Sequence, residues 1–404
     1  MKKNLVLFET LHTGSGLEII KAAKSKGIKI HFVTAEISWF ENNCPAELAE
    51  GINIIQVDWQ KTSVRDEYLK LAHEEEKFAL FTQRDAFVEA VAEVAEELKL
   101  NFTSSKAMKI ARNKEIMRDF FSQTLIPSPK YCYINTKEEL FHSLKSLAFP
   151  FVAKPTKGSG SKDVIIIHNE TDLSMLDKFF NNETKANLLL EEFKLGRVVS
   201  VESFTNNGKH HILGVTNRLM GPQPYFVELG YAFPCRYENI LQNKLEEYTK
   251  FILDKTEYKF GYSHIEYILG KDEVYLVEIN ARLGGGQLGK LMSHSLNQNV
   301  YELLIENLFE WKEIELDYNN MKGAACYTVY SQKPGVIESI KGMELAALFP
   351  NVLQVIPGLK VGDYAKETND MMGQVAQVIA TGNTPENALI SAHSAATSIV
   401  VVVK

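Results

Sequence analysis

Residues 263–290 read SHIEYILGKDEVYLVEINARLGGGQLGK. Ser263–Leu269 and Val274–Ile279 are short runs of β-type residues, and Gly270-Lys271-Asp272-Glu273 between them is turn material, so the stretch predicts a β-hairpin. A turn centred on Asp272 sets Glu266 opposite Glu278 and His264 opposite Asn280. Side chains alternate along a strand, so all four share one face. Opposed residues stand roughly 5 Å apart at Cβ, and like charges there destabilise a sheet. The two carboxylates therefore require a proton or a cation between them. Carboxylate and amide oxygens suit a hard ion, Mg²⁺ or Mn²⁺, that keeps water and phosphate as its other ligands. Arg282, just beyond the second strand, can reach the same anion. The competing reading is a solvated hairpin edge with incidental charges.

A chain of 404 residues exceeds one core and predicts two or three domains. Its 45% hydrophobic and 24% charged content is that of a globular protein. A net charge of −7 argues against non-specific nucleic-acid binding. Cys44, Cys132, Cys235 and Cys326 are far apart with no C-x-x-C pair, which fits isolated reduced thiols in a cytoplasmic protein. The apolar run before Glu9 is too short for a signal peptide, and the terminal IVVVV is too short to span a bilayer. That last run reads as a strand.

From the start, strands at Asn4–Phe8, Ile30–Thr34, Ile52–Val57 and Phe78–Thr82 alternate with helices. One helix begins at Leu17 and stops near Gly27, and another carries Val88, Val91, Ala92, Ala95 and Leu98 on one stripe. This predicts a parallel sheet flanked by helices, ending near 101–105. The Gly14-Ser15-Gly16 loop reads as an ordinary tight turn. The next helix is predicted over 106–121, and Lys114 falls on its apolar stripe with Ala107, Ile110, Ala111, Met117 and Phe121. A lysine there snorkels outward or meets a negative partner.

Strands at Phe151–Lys154 and Asp163–His168 flank the loop PTKGSGSK. Its glycines permit positive φ, its consecutive amides can form an anion-binding concavity, and its hydroxyls and lysines add donors. Lys154 projects at the same place. A strand at Leu188–Leu190 runs into Glu191, Glu192 and Phe193, where free backbone groups at a strand end can read an adenine edge. Asn207-Gly208 predicts a tight hairpin turn. Tyr225–Phe233 predicts a strand carrying Glu228 and Tyr231, with Arg218 shortly before it.

Two motifs mislead. Gly284 to Gly289 matches G-x-G-x-x-G but lacks the following strand and acidic residue of a dinucleotide fold. Gly284 to Lys290 also matches G-x-x-x-x-G-K, but Leu291 stands where a P-loop needs Ser or Thr. Close approach of backbone to an anion beside Arg282 explains these glycines better.

Together the pieces resemble the ATP-grasp superfamily, and within it the carboxylate–amine ligases that include L-amino acid ligases. HIEY…VEINARLGGG at 264–286 is similar to the family's H-x-E…E-[IV]-N-x-R segment, and VTNRLMGPQPYFVELGYAFP at 215–234 to the substrate-lining stretch of the amino acid ligase subgroup. The resemblance implies a mixed α/β and α+β chain with an ATP-grasp fold. It would have a Rossmann-like pre-ATP-grasp domain (1–105), an ATP-grasp domain (106–314) with a hinged lid (about 122–192) and a small C-terminal α+β domain (315–404).

The same resemblance implies site roles. Lys114 and Lys154 would hold the nucleotide phosphates beneath the loop Gly158, Ser159, Gly160 and Ser161. Glu191, Glu192 and Phe193 would meet adenine. Glu266, Glu278 and Asn280 would hold two Mg²⁺ or Mn²⁺ ions on ATP, and Arg282 would stabilise the phosphoryl group in flight. Arg218 and Glu228 look like amino-acid-site residues. Many relatives carry an acid for the ribose hydroxyls near the position of Val198; here either Glu202 or another residue substitutes, or the ribose is held less tightly. Some relatives have His in place of Tyr231. The implied reaction is ATP-dependent joining of an amino acid carboxylate to a second amino acid's amine, in peptide or peptide-antibiotic biosynthesis. The implied partners are small molecules, with neither nucleic acid nor membrane, and a homodimer is left open.

Overall fold

The computed structural model describes residues 1–10, 15–158, 160–180, 186–316 and 318–404. β1 (Lys3–Phe8), β2 (Lys29–Thr34), β3 (Asn53–Gln56) and β4 (Lys77–Phe81) form a parallel sheet ordered β3-β2-β1-β4. Leu5, Val6, Leu7 and Phe8 are all buried, the unbroken apolar run that a sheet covered on both faces needs. Helices Ser15–Ser25 and Val88–Glu97 belong to this layer. The first ends just before Gly27, whose φ of 65° is the left-handed conformation glycine supplies past a helix end. His12, Thr13 and Gly14 of the expected loop lie outside the described residues.

The single helix expected over 106–121 is in fact two, Ser105–Arg112 and Lys114–Phe121. Asn113 between them is extended (φ −127°, ψ 110°), and its side-chain oxygen accepts from the amides of Glu115 and Ile116. A short amide side chain competing for backbone donors ends one helix and caps the next. Lys114 thus opens the second helix.

β5 (Tyr131–Ile134), β6 (Phe151–Pro155), β7 (Ile165–Ile167) and β8 (Leu188–Glu192) make an antiparallel sheet ordered β5-β8-β6-β7. Ile134, Phe151, Ile165, Leu188 and Leu190 give it a core of its own, apart from the main one.

The remaining strands are β9 (Arg197–Asn206), β10 (Lys209–Met220), β11 (Glu228–Cys235), β12 (Phe260–Leu269), β13 (Val274–Asn280), β14 (Gly323–Tyr330), β15 (Gly335–Lys341), β16 (Val352–Pro357), β17 (Tyr364–Ala365), β18 (Gln374–Gly382) and β19 (Val400–Val403). Eight of these form one antiparallel sheet, β13-β12-β9-β10-β11-β14-β18-β16. The strands after residue 322 thus extend the sheet that carries the 263–290 hairpin, and only β17-β15-β19 stands apart. Asn207 (φ 48°) and Gly208 (φ 76°) make the tight β9–β10 turn, the pair of positive φ values that a two-residue hairpin demands. The four cysteines are unpaired. No helix among the described residues is long and apolar enough to cross a membrane.

Candidate active site

The hairpin is β12–β13. His264 faces Asn280, Ile265 faces Ile279 and Glu266 faces Glu278. Nearer the turn the register shifts, so that Tyr267 faces Leu276 and Ile268 faces Tyr275. Val277 is the extra residue, a β-bulge. The turn itself sits half a residue earlier than a centre on Asp272, with Leu269 facing Val274 and the Gly270 amide donating to Glu273 O at 2.9 Å. The offset and the bulge cancel, which is why the acidic pair faces as expected.

Period-two alternation carries this face across the sheet. His264 pairs with Glu202 and Glu266 with Ser200 on β9, and Ser200 pairs with Thr216 on β10. Arg218 pairs with Tyr231, and Met220 with Glu228, on β11. One surface thereby collects residues from five neighbouring strands.

The groups form an alternating chain of charge. Arg218 donates from Nη1 to Glu228 Oε2 at 2.6 Å and lies 3.0 Å from Glu266 Oε1. His264 Nδ1 is 2.8 Å from Glu202 Oε2, and its Nε2 is 2.6 Å from Arg218 Nη2 and 3.2 Å from Glu266 Oε1. Burial opposes protonation of His264, yet Glu202 and Glu266 outweigh it and raise the imidazole to about 9. Nδ1 donates to Glu202, and the charges of Glu202 and Glu266 also hold the neighbouring Arg218 in place. Burial likewise opposes ionisation of Glu266, but Arg218 and then His264 bring its carboxyl down to about 2. Glu278 is also held below its ordinary value, because Lys114 overcomes burial and the like charge of Glu266. Glu228 moves the other way, pushed up by burial more than Arg218 pulls it down.

Lys114 Nζ is 3.3 Å from Glu278 Oε2 and donates to Gly158 O at 3.3 Å. It meets a negative partner rather than snorkelling free. A narrow polar cleft brings together Asp85, Arg112, Lys114, Gly158, Glu278, Asn280 and Arg282. Gly158 (φ 138°) and Gly160 (φ 70°) adopt glycine-favouring backbone in the loop above it, and Ser161 follows at φ 55°. Ser159 lies outside the described residues.

The expected adenine and ribose groups are arranged differently from expectation. Glu191 is buried between Arg118 Nε (2.6 Å) and Lys154 Nζ (2.6 Å), so the Lys154 ammonium faces Glu191 in this structure. The amides of Glu192 and Phe193 are not free strand-end donors, since they bond Lys130 O (2.8 Å) and Pro150 O (3.3 Å). Glu192 itself pairs with Lys194 at 2.7 Å. Glu202 is only 1% exposed and accepts from Ser200 (2.7 Å) and Thr216 (2.9 Å) as well as His264. It presents no surface to a ribose, and its place opposite His264 makes it the support for that ring.

The glycines after the hairpin are also explained by side chains. A Cβ at Gly284 would lie 2.8 Å from His264 Nδ1, and one at Gly286 (φ 61°) would lie 2.6 Å from the Tyr231 hydroxyl. Tyr231 accepts from the Gln287 amide at 2.6 Å. Close approach is real here, to His264 at Gly284 and to Tyr231 at Gly286, whereas a Cβ at Gly285 would meet nothing within 4 Å.

Two residues escaped the sequence reading. Asp85, just past β4, accepts two hydrogen bonds from Arg282, and Arg118 is the largest fully buried side chain among the described residues. Neither lies near the hairpin in sequence.

Two ionised carboxylates and an amide are a fitting donor set for a hard divalent ion. Among the described residues no three His, Cys, Asp or Glu side chains converge as a complete metal cage. An ion at this hairpin would therefore draw its remaining ligands from phosphate oxygens and water.

Residues 147–290 match the model of the ATP-grasp domain, and residues 327–404 match the L-amino acid ligase C-terminal domain 2. The chain thus carries an ATP-grasp domain followed by an L-amino acid ligase C-terminal domain 2. Among its relatives, the alanine–anticapsin ligase of Bacillus subtilis is 22% identical over 294 residues, 67% of this chain and 62% of that protein. The formate-dependent phosphoribosylglycinamide formyltransferase of Sulfurisphaera tokodaii is 23% identical over 339 residues, 80% of this chain and 81% of that one. The crystal structure of an L-amino acid ligase from Bacillus licheniformis superposes with a TM-score of 0.84 at 19% identity, covering 100% of this chain and 99% of that one. At that identity the last likeness establishes the fold.

Proposed function

We propose that this protein activates an amino acid carboxylate as an acyl phosphate and joins it to the amine of a second amino acid, releasing a dipeptide, ADP and phosphate. The observation that carries the reading is the facing of Glu266 and Glu278, with Lys114 and Arg282 in the same cleft and Arg218–Glu228 adjoining it on one sheet face. The C-terminal match at 327–404 and the alanine–anticapsin ligase likeness support amino acids as the substrates and peptide-antibiotic synthesis as a setting.

A carboxylate resists an amine because its leaving group is oxide. Phosphorylation replaces oxide by phosphate, and catalysis of that half-reaction is positioning and charge neutralisation. Mg²⁺ or Mn²⁺ held by Glu266, Glu278 and Asn280 would supply charge compensation on the transferring phosphoryl group. Lys114 and Arg282 add fixed positive charge in the same cleft, and Lys154 can add more by exchanging Glu191 for phosphate. The separately cored β5–β8 sheet, with the loop that carries Gly158 and Gly160, would exclude water and so protect the acyl phosphate from hydrolysis. Arg218 and Glu228 form the amino-acid end of the site. Glu228, whose carboxyl burial makes more basic, is placed to take the proton that the attacking amine loses.

A second reading keeps the activation step and changes the acceptor to a polyamine, a sugar amine or a carrier thiol. The formyltransferase likeness favours it, since that relative is named for phosphoribosylglycinamide rather than for an amino acid. Screening amino acids singly and in pairs for ADP release, with mass detection of products, separates the readings. Dipeptide formed with stoichiometric ADP supports the first. ADP release only with a different nucleophile supports the second, and no release with any substrate leaves a nucleotide-binding protein without ligase activity.

A further inference from the structure

β13 is the outermost strand of the eight-stranded sheet, so its outer carbonyls and amides have no neighbouring strand to bond. The Leu276 amide donates across the chain to Pro127 O at 3.0 Å. Arg118, 0% exposed, meets two carbonyls of that edge: Nη1 donates to Leu276 O at 2.8 Å and Nη2 to Val277 O at 3.0 Å. In a regular strand successive carbonyls point to opposite sides. One guanidinium reaching two in succession is the mark of the bulge at Val277.

That bulge decides which way the acidic residues face. Had the register set near the turn continued, Glu266 would oppose Val277, and Glu278 would oppose Ile265 on the buried face. A one-residue slip reverses every side chain beyond it. We infer that Arg118 is the positioning residue of the divalent-ion site, holding the extra residue at 277 so that Glu266 and Glu278 share one face. Nε of Arg118 donates to Glu191 Oε1 at 2.6 Å, and Lys154 Nζ sits 2.6 Å from Glu191 Oε2. The same guanidinium thus ties the hairpin to β8 and β6 of the separately cored sheet, so the facing of the acids and the seat of Lys154 are set together. Lysine cannot replace it, because a point charge lacks the planar fork that bridges two carbonyls.

This rests on the metal-nucleotide reading of the hairpin. The test is Mn²⁺ binding followed by electron paramagnetic resonance on the full chain with a non-hydrolysable ATP analogue, alongside melting temperature. Arg118→Met and Arg118→Lys are expected to weaken Mn²⁺ binding about tenfold or more, the scale of lost support for metal ligands. Phe121→Ala removes a buried side chain from the same helix and is expected to lower the melting temperature while leaving Mn²⁺ affinity as in the wild type. Arg118→Lys retains the charge opposite Glu191 and keeps the test open should the Met variant not fold. Wild-type Mn²⁺ affinity in Arg118→Lys, or an equal loss in Phe121→Ala, overturns the inference. A wild-type chain that binds no Mn²⁺ with the nucleotide removes the metal-site reading itself, and this inference with it.

Discussion

Arg282 grips Asp85 through two hydrogen bonds, Nε to Oδ1 at 2.6 Å and Nη2 to Oδ2 at 3.2 Å. The first comes from just beyond β13 and the second from just beyond β4, so the parallel sheet at the start of the chain helps aim a cation on the central one. Asp85 stays ionised because Arg282, and then Arg112, outweigh its burial. The pair fixes the guanidinium beside Lys114 and Glu278 before any phosphate arrives, and prior placement of that kind is what makes a charge effective in a transition state.

Arg282→Ala should therefore lower kcat by about a hundredfold, roughly 3 kcal/mol of transition-state stabilisation. Affinity for the metal-nucleotide complex should fall much less. Steady-state kinetics and calorimetry measure the two, and equal losses in both would count against the role given to Arg282.

Glu278→Gln should raise the metal concentration needed for half-maximal activity by about tenfold or more, since it replaces an anionic oxygen donor by a neutral one. Titrating activity with Mg²⁺ at saturating substrates checks this. An unchanged requirement would take Glu278 out of the metal site.

Glu191 gives a pH prediction. Burial alone would raise its carboxyl, but Arg118 and then Lys154 hold it below its ordinary 4.5. A depressed carboxylate adds stability that is complete above the unfolded value and is lost as pH falls through the folded one. Glu191→Gln leaves two buried cations unneutralised and should cost about 3–5 kcal/mol near neutrality. Below pH 4.5 the gap from the wild type should narrow as Glu191 itself takes up a proton. Denaturant melts at a series of pH values test this, and a gap that widens toward acid would contradict it.

Asn113→Ala should destabilise the chain by about 1 kcal/mol, the usual worth of a side-chain cap. It should also weaken nucleotide binding, because the capped turn begins with Lys114. A melting temperature and nucleotide affinity both like the wild type would show that the cap does neither.

Much of this was legible from short-range pattern. The alternation of apolar runs gave the parallel sheet, and a turn between two β-type runs gave the opposition of Glu266 and Glu278. That opposition came out correct through two departures that offset each other, a turn displaced by half a residue and the bulge at Val277. The bulge was hidden because the group that holds it, Arg118, lies in another element and looks like one more charge on a helix. Asp85 was hidden for the same reason. The buried place of Glu202 is not legible in the sequence, because a buried carboxylate and a ligand-facing one look alike there; only its position opposite His264 on β9 tells them apart. The break at Asn113 was the most recoverable of these, since asparagine between two apolar-periodic segments is a capping signal.

The most direct measurement follows the carboxylate oxygen itself. With a substrate amino acid labelled by heavy oxygen in its carboxylate, phosphorylation by a nucleotide seated over Glu266 and Glu278 should pass one labelled atom into inorganic phosphate while ADP leaves unlabelled. Label appearing in AMP, or product formed with no label transferred to phosphate, would mean that the carboxylate is activated in some other way.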